Sequence, residues 1–189
     1  VMRKLGLMCQ QRQTFKVTTK HNEKHQVQPN LLNQNFQPLF ANEVWAGDIT
    51  YIKTSQGWRY LAVVMDLFSR RIVGWSMAER MKADLVIQAL QQAHVLRQPQ
   101  YGCVFHSDRG SQYTSRAFAK KARQLKMRLS MSDVGCCYDN AVVERFFGSL
   151  KHEGLGHTAT MNENVVKQEI TQFIHYYNFK RPHTANNGM

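Results

Sequence analysis

The stretch from Glu43 to Met77 constrains the fold more than any other. Glu43-Val-Trp-Ala-Gly-Asp48-Ile-Thr-Tyr-Ile-Lys53 carries strand-forming residues on both sides of Asp48. Ser55-Gln56-Gly57 is a turn, and Trp58 to Met65 is a second, largely apolar run suited to a central position in a sheet. Asp66 to Arg70 turn the chain again, and Arg71 to Met77 return as a third strand. Connections this short leave no room for a crossover, so the three strands form an antiparallel meander. Asp66 opens its turn together with Ser69, where an aspartate readily bonds nearby backbone; it reads as structural. Asp48 differs. It stands mid-strand among Trp45, Ile49 and Ile52, where a carboxylate is costly unless it is hydrogen-bonded or binds a cation.

Helices alternate with strands after the meander. Leu85, Val86, Ala89, Leu90, Ala93 and Leu96 form one apolar helical face, and Pro99 follows it. Cys103-Val104-Phe105 reads as a short buried strand running to Asp108, and Arg109-Gly110-Ser111 breaks it. Thr114 or Ser115 caps a helix carrying Phe118, Ala119, Ala122 and Leu125. Met127 to Met131 is the fifth strand. That order predicts an α/β fold in which an antiparallel start is joined to parallel βα crossovers.

Two further carboxylates stand out. Asp108 either caps a turn or is displayed at the rim of the sheet. Asp139 and Asn140 suit the start of a third helix whose apolar side is Val142, Val143, Phe146, Phe147 and Leu150. Glu144, Gly148 and Lys151 share its other face, joined by Asn140. Gly148 costs roughly 1 kcal/mol in helix propensity against alanine, which predicts a close approach there. Alone, Glu144 reads as an exposed helix charge; with Lys151 beyond a bare glycine, the face suits a phosphate. Further on, Thr160-Met-Asn-Glu163 reads as a capping box, opening a helix with Val166, Ile170, Phe173, Ile174 and Tyr177 on its apolar side.

The charge points to a polyanion. The net charge is +12 and the pI about 9.8, with nucleic acid the first candidate. Residues 1–40 hold Arg3, Lys4, Arg12, Lys16, Lys20 and Lys24 against the single acid Glu23, which is +5 of the total. They read as an extended or partly helical arm suited to phosphate contacts. The expected organisation is a basic arm over 1–40, a core over 41–155, and a C-terminal helix and tail over 156–189. No apolar run approaches membrane-spanning length and no secretory signal is visible. Cys9, Cys103, Cys136 and Cys137 show no paired spacing and read as free thiols in a reducing compartment. The chain opens at Val1 without a helix-turn-helix pattern, as expected of a fragment of something longer.

Asp48, Asp108 and Glu144 have the order and spacing of the DDE motif, with 35 residues between the last two. The flanking words agree: Trp-Ala-Gly-Asp-Ile-Thr-Tyr-Ile, Asp-Leu-Phe-Ser-Arg-Arg-Ile-Val-Gly-Trp, His-Ser-Asp-Arg-Gly-Ser-Gln-Tyr, Tyr-Asp-Asn-Ala-Val-Val-Glu-Arg-Phe-Phe and Tyr-Tyr-Asn-Phe-Lys-Arg-Pro-His. From about Asn30 onward the chain resembles the catalytic subunit of insertion-sequence transposases of the IS-three type, relatives of retroviral integrase. The resemblance implies an RNase H-like fold, with a five-stranded mixed sheet flanked by helices. It also implies transposon ends and target DNA as substrates, a homo-oligomer on DNA, an upstream-frame helix-turn-helix subunit as partner, and a bacterial cytoplasmic, nucleoid-associated setting. The chain departs from the usual pattern at Gly47, where relatives carry Thr or similar, and at Asp133-Val134-Gly135, where they carry a basic run.

Three carboxylates on two strands and a helix make a hard, all-oxygen ligand set suited to two Mg²⁺ or Mn²⁺ ions. Such a pair supports in-line phosphoryl displacement. Asp48 is expected to bridge the ions, with Asp108 and Glu144 each completing one site. Lys151 is expected to hold a phosphate, and Asn140 to orient the DNA or Glu144. Three functions follow: a DDE transposase core that cuts and joins DNA ends, a catalytically idle remnant that only binds DNA, and a nuclease on RNA–DNA hybrids that shares the metal chemistry. The presence of all three carboxylates favours the first, the missing upstream region favours the second, and the flanking words do not support the third.

Overall fold

The computed structural model describes residues 27–33, 37–133 and 140–182. The meander forms as expected: β1 (Val44–Thr54), β2 (Gly57–Asp66) and β3 (Ile72–Ala78) pair antiparallel. β4 (Val104–Ser107) and β5 (Arg128–Met131) add parallel to the other side of β1. The order is β3-β2-β1-β4-β5, so β1 is the central strand of a five-stranded mixed sheet.

Alternation along the strands divides the core in two. One face buries Trp45, Ala62, Val64, Val73 and Phe105 under α1 (Ala83–Arg97) and α2 (Arg116–Gln124). The other buries Ala46, Ile52, Leu61, Val63 and Met65 under α3 (Ala141–Ser149) and α4 (Glu163–Phe179). Together they make a three-layer α/β/α arrangement. α1 lies very close to β3: a methyl group on Gly74 would sit 2.7 Å from the Ala93 nitrogen and closer still to the Ala89 carbonyl oxygen. Only a residue without a side chain permits that approach.

Leu96 was expected in the buried face of α1, but it is 68% exposed, with Val95 beside it. The apolar repeat extends one turn beyond the part of the helix that meets the sheet. The capping box expected at Thr160 does not form either. Thr160 is the end of a 3₁₀ turn (Thr158–Thr160), and its hydroxyl donates to the His157 carbonyl at 3.0 Å. Asn162 caps α4 instead, accepting from the Val165 N–H at 3.0 Å. Glu163 turns away to the buried Arg59 at 2.6 Å and to Lys167 at 2.7 Å. Ser115 caps α2 as expected, accepting from the Phe118 N–H.

The far end of α4 is fastened to the sheet edge. Asn178 accepts from the Ile72 N–H and donates to the Ile72 carbonyl, both at 2.8 Å, serving backbone groups of edge strand β3. Residues 27–33 lie against β5. The Leu31 N–H donates to the Ser130 hydroxyl at 2.9 Å, and Leu32 is buried in the core.

Candidate active site

The central strand brings the first carboxylate to the middle of the molecule. β1 and β4 run parallel with Val44 opposite Val104 and Ala46 opposite His106. That register carries Asp48 towards the level of Asp108, just past the end of β4. Asp48 is half-buried and accepts from the Ile49 N–H at 2.8 Å; Asp108 is exposed and accepts from the Gly110 N–H at 3.0 Å. Glu144 stands exposed in the first turn of α3. That helix is oriented by its opposite side, where Val143, Phe146, Phe147 and Leu150 are buried. The Phe146 ring meets Tyr177 edge-on at 4.8 Å, locking α3 to α4.

Asp48 feels the negative charge of both other carboxylates. The Asp48 carboxyl is pushed up from 3.8 to about 8, first by burial, then by the negative charge of Asp108 and, more weakly, of Glu144; the Ile49 N–H and Lys151 pull the other way. Asp108 is also raised, by desolvation against the hydrogen bond from Gly110. Beneath them lies the fully buried Tyr113, whose hydroxyl is raised by burial and then by both aspartates. Among the described residues no three acidic, histidine or cysteine side chains are gathered as closely as a ligand cage. Three like charges with nothing between them repel, and the donor set, all carboxylate oxygen, fits a hard divalent cation.

Lys151 belongs to a π-helical turn (Leu150–Gly154) that continues α3. Its ammonium lies 4.6 Å from the centre of the Tyr51 ring, and its pKa is lowered by desolvation, with the nearby Asp48 charge pulling the other way. The turn is pinned from α4: Arg181 donates to both oxygens of Glu153, at 3.1 and 3.0 Å, and to Ser149. This gives the Arg-Pro pair near the C-terminus a role that was not legible in the sequence. Asn140 is buried at the start of α3 and makes no side-chain cap; its Oδ1 has no partner among the described residues.

Gly148 was expected to mark a close approach. Among the described residues, nothing outside the adjoining residues and the helix's own backbone lies within 4 Å of a methyl group placed there. The residue instead lines an open groove of about 460 Å³ with Glu144, Arg145, His152 and Glu153. His106 is buried, with Nδ1 2.9 Å from the Ser130 hydroxyl, inside the sheet rather than at the site. Asp66 is structural as expected, accepting from Ser69 at 2.7 Å and from the Asn42 N–H at 3.2 Å. Gly47 is filled by Phe105, whose ring occupies the space any side chain there would need. Arg3, Lys4, Arg12, Lys16 and Lys20 lie outside the described residues, as does most of the segment 132–138 before α3. Of that segment, Ser132 is buried and bonds Ser107, and Asp133 pairs with Arg109 at 3.0 Å. Sequence reasoning missed Tyr113, Tyr51 and Trp58. The last two were legible only as strand formers.

Comparison with known proteins agrees with this architecture. Two integrase core domain families match, over residues 40–137 and 125–189. The chain is 41% identical over 183 residues to an insertion element IS600 uncharacterized 31 kDa protein of Shigella sonnei, covering 96% of this chain and 67% of that protein. It is 40% identical over 189 residues to transposase InsF for insertion sequence IS3A of Escherichia coli K12, covering all of this chain and 66% of that protein. The chain thus spans about two thirds of the length of these relatives. Among solved structures, the human T-cell lymphotropic virus 2 integrase catalytic core domain in complex with magnesium superposes with a TM-score of 0.64 at 20% identity, covering 78% of this chain and 93% of that one. The simian T-cell lymphotropic virus intasome, in complex with a PP2A regulatory subunit, gives 0.68 at 21% identity, covering 86% and 56%. These two show the RNase H-like fold.

Proposed function

The chain belongs to the integrase core family, and on that premise we propose that it is the catalytic part of an insertion-sequence transposase, cutting and joining DNA ends by phosphoryl transfer. The observation that carries this reading is the placement of Asp48 on the central strand in register with Asp108, where burial first, then the charge of Asp108 and more weakly that of Glu144, push its carboxyl up to about 8. Such crowding destabilises the fold unless a cation is held there. The same cost argues against a remnant that only binds DNA.

Asp48 from the central strand, Asp108 from the end of β4 and Glu144 from α3 would hold two Mg²⁺ or Mn²⁺ ions. Bound there, the ions supply Lewis-acid stabilisation of the attacking and leaving oxygens. Lys151 holds a non-bridging phosphate oxygen by charge, and the open groove beside Gly148 admits the DNA backbone to the Glu144 face. Asn140, buried at the start of α3 with its Oδ1 unpartnered among the described residues, orients the DNA or the Glu144 side chain. Water attacking phosphorus releases a 3′-hydroxyl and leaves a 5′-phosphate. That 3′-hydroxyl, attacking a target phosphate, forms a new phosphodiester and releases the target's own 3′ oxygen. No covalent protein–DNA bond is required.

Arg3, Lys4, Arg12, Lys16 and Lys20 add phosphate contacts from the arm, within the division into arm (1–40), core (41–155) and C-terminal helix and tail (156–189). Assembly as a homo-oligomer on DNA, an upstream-frame helix-turn-helix partner and a nucleoid setting belong to the same reading. Among the described residues no helix is long and apolar enough to cross a membrane. The test is divalent-cation-dependent nicking and joining of a labelled DNA end. It should vanish in Glu144→Gln with the fold kept. Full activity in that variant, or in excess chelator, refutes the assignment.

A further inference from the structure

Beside the carboxylates is a surface that the reaction as described does not use. Tyr51 follows Asp48 by three residues on β1 and is 57% exposed; Trp58, on the paired strand β2, is 52% exposed. In the β1–β2 register Lys53 faces Trp58 and Tyr51 faces Tyr60, so Tyr51 and Trp58 are diagonal neighbours. Their rings meet edge to face with centroids 5.3 Å apart. The Lys151 ammonium lies over Tyr51 at 4.6 Å. Two large aromatic rings packed together in solvent, with a lysine over one of them that also feels the charge of Asp48, are a costly arrangement for a surface without a ligand.

The hairpin that carries them is held rigidly. The Ser55 N–H and hydroxyl both bond the Met161 carbonyl at 2.9 Å. Gln56 accepts from the Glu163 N–H at 3.0 Å, and the buried Arg59 binds Glu163 at 2.6 Å and Glu79 at 3.2 Å. The rings therefore stand on a braced element, as a preorganised contact requires.

We propose that Tyr51 and Trp58 form a stacking site for an unpaired nucleobase of the DNA end, next to the phosphate held by Lys151. This rests on the function proposed above and names the form of DNA its site takes: a frayed or single-stranded end rather than closed duplex. The Trp58 ring stacks the base, and Tyr51, set at 79° to it with centroids 5.3 Å apart, fixes the ring's orientation. Lys151 spans the distance from Tyr51 to Asp48, so one side chain serves both the base and the reacting phosphate. Lys53, opposite Trp58, adds charge for the adjoining phosphate. Aromatic rings interleaved with lysines are how single strands are bound without regard to sequence, because every base has a π-face.

The experiment measures binding in chelator, so that it does not depend on cleavage. The 189-residue chain is titrated into two duplexes, one fully paired and one with a three-nucleotide unpaired end carrying 2-aminopurine. The expected result is a change in 2-aminopurine emission with the wild type and with Tyr51→Phe. Trp58→Ala is expected to lose it and to bind the unpaired end about 5- to 150-fold more weakly, with affinity for the paired duplex unchanged. Circular dichroism checks that each variant is folded. Equal losses on both duplexes, or no loss on either, overturn the stacking site. An emission change in a wild type that shows no cation-dependent nicking refutes the enzymatic reading and leaves the aromatic contact standing. Nicking that is insensitive to Trp58→Ala, together with a silent 2-aminopurine, refutes the contact and leaves the enzyme.

Discussion

Replacing Asp48 by asparagine should stabilise the cation-free chain, and the gain should grow with pH. The unfolded chain releases this proton near 3.8, and the folded chain only at about 8. Between those values the folded state binds the extra proton, so stability falls as pH rises through the window. Each pH unit costs about 1.4 kcal/mol while the difference persists. From pH 5 to pH 7 that is a ceiling of roughly 3 kcal/mol; rearrangement of the neighbouring carboxylates brings the expected loss to roughly 1 to 3 kcal/mol. Asparagine is nearly isosteric and carries no proton to lose. Urea unfolding of wild type and Asp48→Asn in chelator, at steps from pH 4.5 to 8, isolates the difference, because all other titrations are shared. The two midpoints should nearly coincide at the acid end and separate steadily above pH 5, the variant being the more stable. Millimolar Mg²⁺ or Mn²⁺ should recover the wild type's deficit and do little for the variant. Parallel stability curves across that range would refute the claim that desolvation and the Asp108 charge hold the Asp48 carboxyl up.

Three other outcomes are expected. Gly74→Ala should cost about 1–3 kcal/mol in urea unfolding, since the added methyl meets α1 backbone that cannot move aside without shifting the helix. Asn178→Ala should cost roughly 1–3 kcal/mol by leaving the Ile72 N–H and carbonyl without their partner, and hydrogen exchange should quicken at Ile72. The logarithm of affinity for duplex DNA should fall against log salt with a slope of roughly −4 to −5 if the arm neutralises about five phosphates, and deletion of residues 1–25 should flatten it. An unchanged slope would remove the arm from the interface.

The sequence alone determined the sheet and singled out Asp48, Asp108 and Glu144 as candidate site carboxylates. The meander was legible because the strands from Glu43 to Met77 are joined by connections too short for any crossover. The apolar sides of the helices containing Val86, Phe118, Phe146 and Ile170 were legible because a 3.6-residue repeat of large side chains must face a core. Asp48 was conspicuous because a carboxylate within an apolar strand needs a reason. Tertiary structure decided what local pattern does not encode. Leu96 continues an apolar repeat beyond the sheet that would bury it. Thr160 and Asn162 are equally good caps until the 3₁₀ turn takes the threonine hydroxyl. Gly148 signals an open groove rather than a close neighbour, a distinction that depends on what lies opposite the helix. The roles of Arg181 and Asn178 depend on Glu153 and Ile72, 28 and 106 residues away in the chain. Tyr51 and Trp58 read as ordinary strand residues, because exposure, unlike propensity, is fixed only when the other layers have packed and have left those two rings uncovered.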